Sequence, residues 1–224
     1  MDLIEVIKSR HYVRHYQNKD IEQEKALVLK EFIDDCNNES GLNFQLVLND
    51  REAFDGSMVH YGSFDGVNSY IALIGKTTQD LEEKAGYYGE KCLIKAQSLG
   101  LNSCWIALTF NKRSVMDRCR ILKGEKLVSI ISIGYGIDNG HAHSGKSVEV
   151  LSNVKPDSPQ WFKDGVEIAA IAPTARNQQR FYLEYMGGDK VKLTNLGGEY
   201  SKIDIGIVKY HFEVGADKNF TWVD

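Results

Sequence analysis

Two apolar runs constrain this chain more than any other feature. SYIALIGK (69–76) and KLVSIISIGYG (126–136) are continuous rather than alternating, and polar residues bound the first. Each reads as a strand buried on both faces, which other elements must cover. Helical spacing supplies the covers. Residues 21–36 place Ala26, Leu29, Ile33 and Cys36 on one stripe, with Val28 and Phe32 beside it. Residues 79–100 do the same with Leu81, Ala85, Tyr88, Cys92, Leu93 and Ala96, and Gly100 ends that helix as a C-cap glycine. Shorter helices are predicted over 2–8 and 111–122. NFQLVLND (43–50) alternates like a strand, and CWIAL (104–108) leads into a turn.

After a polar loop at 137–147, NVKPDSP (153–159) holds two of the three prolines and marks a linker. Beyond it the pattern restarts. A helix is predicted over 161–171, then a hairpin, FYLEYM and KVKLT around Gly187–Gly188–Asp189. Last comes a helix over 200–216 with Ile203, Ile207, Tyr210 and Val214 on one stripe. Helix, polar turn, strand and core helix thus occur twice. The second copy is shorter and shares little residue identity with the first. Domains are therefore read at 1–152 and 160–224.

Composition narrows the function classes. At 224 residues the chain suffices for one large domain or two small ones. Net charge is −4 with no basic cluster, so the footprint that nucleic acid requires is missing. No apolar run approaches the ~20 residues that span a bilayer. MDLIEVIKSR lacks the apolar core of a signal peptide, and the four cysteines form no CxxC pair. Together these point to the cytosol.

Three segments carry chemical potential. In SRHYVRHY (9–16), Arg10 and Arg14 are four apart, with His11 and Tyr12 between them. Two guanidinium groups at that spacing can grip a phosphate, or can simply be a solvated basic turn at a helix C-terminus. HAHSGK (141–146) gathers His141, His143, Ser144 and Lys146; the His-x-His pair could suggest a metal, but no carboxylate or thiol cluster adjoins it, so the set suits an anion better. An idle surface loop accounts for it equally. APTARNQQR (172–180) packs Asn177, Gln178 and Gln179 between two apolar elements. GYGIDNG (134–140) does not match the dinucleotide fingerprint, and GxSxG, P-loop and HExxH motifs are absent. Cys104 has no base nearby in sequence and reads as a core cysteine.

Together these segments resemble the FMN-dependent nitroreductase family. SRHYVRHY is similar to its opening Arg-Arg/His-Ser-x-Arg/Lys-x-Phe/Tyr motif. EKAGYYGEKCLIKAQSLGLNSCWIAL (83–108) is similar to its core helix and Gly-Leu-Gly-x-Cys-Trp-Ile stretch, and ISIGYG (131–136) to its last core strand. APTARNQQRF resembles Ala-Pro-Ser-Ala-x-Asn-x-Gln-Pro-Trp. The resemblance implies an α+β fold with a central, mostly antiparallel sheet flanked by helices. In that family the last motif follows the first long helix, where this chain has CNNESGLNFQL (36–46) instead. Family members are usually homodimers in which the partner subunit brings this motif to the flavin. The chain therefore resembles a single-chain pseudo-dimer, its second part standing in for the partner, and is expected to be a monomer.

The resemblance also implies site roles. Arg10, with His143, Ser144 and Lys146, would meet the FMN phosphate, and Arg14 would lie near N1 and the C2 carbonyl of the ring. His11 and Tyr12 belong to the same motif, although Tyr12 replaces its serine. Backbone groups of Ile106, Ala107 and Leu108 would approach N5, and Trp105 is a further cofactor-binding candidate. Pro173, Thr174, Ala175 and Asn177 would contact the ring or ribityl chain from the other half. No protein nucleophile and no metal is implied, since the flavin carries the chemistry. NAD(P)H would reduce it, and a small oxidised acceptor such as a nitroaromatic or quinone would reoxidise it. Two alternatives stay open at this point. The fold hosts other flavin reactions, and a flavin-binding protein for storage or sensing need not be an enzyme.

Overall fold

A computed structural model describes residues 2–55, 64–141 and 144–224. Along the chain run α1 (Leu3–Ser9), α2 (Gln23–Ser40), β1 (Gln45–Val47), β2 (Ser69–Lys76), α3 (Leu81–Ser98), β3 (Asn102–Ile106), α4 (Lys112–Arg118) and β4 (Glu125–Gly134). They are followed by α5 (Val148–Leu151), α6 (Gln160–Ala169), β5 (Phe181–Tyr185), β6 (Lys190–Asn195), α7 (Ser201–Ala216) and β7 (Thr221–Val223). The chain divides into two compact units. One comprises Ser9–Leu81 and Lys91–Ala142. The other comprises Met1–Lys8, Glu82–Glu90 and His143–Asp224.

The first unit is built on an antiparallel sheet of order β1-β2-β4-β3. The two apolar runs are its central strands, paired from Ser69↔Ile133 to Lys76↔Glu125 with one slip between Leu73 and Ile74. Their continuous apolarity follows from that position, because both faces are covered. Tyr70, Ala72, Ile74 and Ile130 join a core with Val13, Tyr16, Phe54, Ile106, Phe110 and Val115. Ile71, Leu73, Ile131 and Ile133, pointing the other way, are equally inaccessible. Each such side chain contributes about 1.5–3 kcal/mol on burial. The strand predicted over 43–50 is only three residues long. Asn49 adopts a left-handed backbone (φ 58°) and turns the chain into a 3-10 turn at Arg51–Phe54. Conversely, the stretch at 104–108 begins inside a strand, β3, which pairs with β4.

In the second unit, β5 and β6 form the expected hairpin around Gly187–Gly188, and β7 adds a parallel edge that the sequence pattern did not reveal. Helices α6 and α7 pack closely. A Cβ on Gly165 would sit 2.8 Å from the Phe212 ring, and one on Gly215 would sit 2.6 Å from the Asp164 carbonyl oxygen. On another side α7 lies against residues 82–90 of α3. There, Cβ atoms on Gly86 and Gly206 would fall 2.1 Å from the Ile203 carbonyl oxygen and 2.0 Å from that of Glu83. Around this crossing Lys209 pairs with Glu83, the Tyr87 hydroxyl donates to Glu213, and His211 meets Glu90 at 2.9 Å with both side chains fully buried. Among the described residues, no helix is long and apolar enough to cross a membrane.

Candidate flavin-contact segments

The structure distributes the residues singled out in the sequence over both units and organises them into two clusters. In the first unit, residues 10–14 lie along the edge of β3. Tyr12 bridges to Ser103 in parallel, and the Val13 amide donates to the Ser103 carbonyl at 3.1 Å. Gly140 closes over the same segment: its φ is 71°, and a Cβ there would meet the Tyr12 carbonyl oxygen at 2.5 Å. The main chain thereby brings Arg10, His11 and His141 together. His11 has its pKa lowered by burial and by the positive fields of Arg10 and His141. Arg10 is 7% exposed, yet its buried Nε has no hydrogen-bond partner among the described residues. The buried Ser103 Oγ also lacks one. Buried donors are satisfied in nearly all native interiors, so this guanidinium nitrogen is a donor that an anion could satisfy.

Arg14 is exposed and lies over two aromatic rings, 5.5 Å from the centroid of Tyr12 and 5.9 Å from that of Phe64. Beneath it is Cys104, a buried core thiol as expected. Burial raises its pKa, while Arg14 and then Arg10 pull it down. Trp105 is half-buried on β3. Ile106 is buried, with its carbonyl accepting from Ser129 Oγ at 2.9 Å. Ala107 is half-buried and Leu108 is 54% exposed in the turn that follows.

The second cluster lies in the other unit and joins the basic loop to the amide-rich turn. Lys146 Nζ donates to the carbonyls of Gln178 and Gln179 at 2.8 and 2.9 Å, and Asn177 Nδ2 donates to the Ser144 carbonyl. His143 lies outside the described residues. Pro173, Thr174 and Ala175 lead into a 3-10 turn at Ala175–Asn177. Arg176, Asn177 and Gln179 all adopt positive φ, at 52°, 53° and 46°. Non-glycine residues in this region cost roughly 1–3 kcal/mol each and persist only where their surroundings enforce them. The amides supply that enforcement locally. Asp204, in the first turn of α7, adds another contact by accepting from the Ala175 amide at 2.9 Å. Burial raises the Asp204 pKa to about 6, against the opposing effect of the Ala175 amide. Among the described residues, no group of three or more His, Cys, Asp or Glu side chains converges as a metal site.

Four participants were either missed in the sequence or, like His141 and Gln179, seen there without their positions. His141 is brought to Arg10 and His11 by a loop closure. Phe64 is 50 positions from Arg14. Asp204 reads in sequence only as an acid favourable at a helix start. Gln179 was visible as part of a polar turn, but its burial was not.

The family model described as "Putative TM nitroreductase" matches residues 2–216. The chain belongs to this nitroreductase family. Family membership makes it an oxidoreductase. The structure resembles a nitroreductase from Thermotoga maritima with a TM-score of 0.68 at 19% identity, covering 96% of this chain and 83% of that one. It also resembles an FMN-dependent nitroreductase from Clostridium difficile (TM-score 0.50, 18% identity, 62% of this chain and 90% of that one). A third resemblance is to an NADH dehydrogenase/NAD(P)H nitroreductase from Parabacteroides distasonis (0.52, 17%, 70% and 99%). At these identities the likeness concerns the fold, and it bears out the α+β, nitroreductase-like architecture. No curated protein matches the chain. The two smaller nitroreductases are covered almost completely by about two-thirds of this chain, whereas the Thermotoga protein accounts for nearly all of it.

Proposed function

We propose that this nitroreductase is an FMN-dependent oxidoreductase that binds one flavin per chain and works as a monomer. The observation that carries the reading is the buried Arg10 guanidinium with its unpartnered Nε, beside His11 and His141. A phosphate monoester satisfies such a donor set, and FMN carries one. Bound FMN would accept a hydride from NAD(P)H and pass it to a small oxidised acceptor such as a nitroaromatic or quinone.

The chain's own residues hold and tune that group. Arg10 in the first unit, and Ser144 and Lys146 in the second, are the residues proposed for the phosphate. Arg14 supplies a fixed positive charge where negative charge grows on reduction, so it favours the reduced ring. Its position over Tyr12 and Phe64 restricts its rotamers and so keeps the charge in one place. Pro173–Ala175 and Asn177 are proposed for the contact that the family resemblance assigns to a partner subunit. The monomer reading rests on α7, whose apolar stripe is already covered by residues 82–90 and by α6. The free thiols, with Cys36 and Cys92 left reduced although in contact, suit a reducing cytosol.

Heat release of flavin from the purified protein should yield one FMN per chain. Stopped-flow mixing with NADH or NADPH should bleach it, and a quinone or nitroaromatic should restore the colour. Protein that neither retains nor takes up FMN would overturn the reading. Bound flavin that no nicotinamide bleaches would confine the protein to binding. Light scattering of the holoprotein should give the mass of one chain, and a stable dimer would refute the monomer.

A further inference from the structure

Gln179 is the most completely engaged polar residue of the amide-rich turn. It is 1% exposed and its backbone is left-handed (φ 46°). Its main-chain amide donates to Thr174 Oγ1 at 3.1 Å, and its carbonyl accepts from Lys146 Nζ at 2.9 Å. Its side-chain Nε2 donates to the Ala170 carbonyl at 2.7 Å, while Oε1 accepts from the Lys146 amide at 2.6 Å. Four bonds from one residue therefore reach three segments: the end of α6, the start of the turn, and the basic loop. A side chain with only a donor or only an acceptor cannot bridge Ala170 O and Lys146 N–H, and an apolar one would leave both groups unpaired.

We propose that Gln179 is a positioning residue that locks the loop bearing Ser144 and Lys146 to the turn bearing Pro173–Asn177, so that the two present their flavin contacts as one rigid piece. This rests on the FMN reading above. If the loop meets the phosphate and the turn meets the ring or ribityl chain, loosening Gln179 should chiefly cost the part of the affinity that comes from the phosphate. The ligand pair that separates this effect from general loosening is FMN against riboflavin, which differ only by the phosphate.

The experiment uses the full-length protein with Gln179→Met, which keeps the side-chain length and removes both polar groups. Dissociation constants for FMN and riboflavin are read from quenching of flavin fluorescence. The expected result is FMN binding weakened at least tenfold, with the preference for FMN over riboflavin reduced at least fivefold. Equal weakening for both ligands, or unchanged FMN binding, overturns the proposal. A second measurement needs no variant and no flavin. In the wild-type apoprotein, the Lys146 and Gln179 backbone amides should be protected from hydrogen exchange by the same factor, since one lock closes both. Exchange of either at the rate of an open loop overturns the proposal even where Gln179→Met does not fold. Wild-type protein that ignores FMN yet shows matched amide protection refutes the flavin reading while leaving the lock intact.

Discussion

The segment at residues 10–14 and the turn at 172–180 are both rich in hydrogen-bonding side chains, and the structure uses them in opposite ways. Around Arg10, donors are buried without partners, and positive charges sit close enough to depress the His11 pKa. At the turn, the polar groups of Lys146, Asn177 and Gln179 are engaged with one another and with main-chain carbonyls. The first arrangement is costly to bury, and on the proposed reading an anion would relieve it. The second is favourable by itself and holds a left-handed backbone in place. On that reading one region would supply binding energy and the other supplies shape. Residue type alone does not tell these uses apart.

Substitutions should separate the two uses cleanly. Arg10→Met should have the largest effect. Charge-assisted bonds contribute about 1.5–3 kcal/mol each, so the FMN dissociation constant should rise on the order of 10- to 100-fold. The apoprotein should melt at the same temperature or higher, because a buried unpaired donor is removed. Calorimetry with and without FMN checks both, and a clear loss of apoprotein stability would place Arg10 among the structural groups.

Lys146→Met should invert that pattern. Loss of two bonds to carbonyls of the turn should destabilise the apoprotein by about 1–3 kcal/mol in urea unfolding, with a weaker effect on FMN than Arg10→Met. If the apoprotein is unaffected, the turn is shaped by something other than its clamp.

Arg14→Ala should weaken FMN about tenfold, the size of a single charged contact, and lower the potential of the bound flavin. Potentiometric titration of the variant decides this, and an unchanged potential with flavin bound would remove Arg14 from the ring.

The smallest effect concerns the far anchor of the turn. The folded-state pKa of Asp204, about 6, lies above its ordinary 3.8. The folded chain then binds that proton more tightly than the unfolded chain, and this group's contribution to stability falls as pH rises from about 4 to 6. Asp204→Asn keeps an acceptor for the Ala175 amide and removes the penalty. It should stabilise the protein at pH 7–8 by about 1 kcal/mol after allowance for partial exposure, and the gain should disappear near pH 4. A gain that persists at pH 4 would assign the effect to something other than ionisation.

What could be read in advance follows the same division. Elements defined by continuous burial were legible: β2 falls on the predicted residues, and β4 and α7 lie within a residue or two of theirs. Elements defined by pairing were not. β7 consists of Thr221, Trp222 and Val223, too short for any period, and exists because β6 offers it a parallel edge. The predicted strand at 43–50 kept its alternation in sequence but lost its C-terminal end to the left-handed turn at Asn49. At the candidate contacts, Arg10, Arg14, Lys146 and Asn177 were visible as charged or amide residues in short motifs. The burial of Arg10 and Gln179, and the approach of His141 and Asp204, arise from chain closures that no local pattern encodes.

The glycine crossing between α7 and residues 82–90 bears on how the protein is made. Glu83 meets Lys209, and Tyr87 meets Glu213, across 126 positions of sequence. During synthesis the earlier segment emerges long before the helix that covers it. At about 5–20 residues per second, it waits roughly 6–25 s on the ribosome with Ala85 and its small-residue groove uncovered. The antiparallel sheet of the first unit needs only residues up to Gly134 and can be complete during that interval. The nascent chain is thus most open to aggregation late in translation, and slowing the ribosome between codons 134 and 201 should lengthen that exposure.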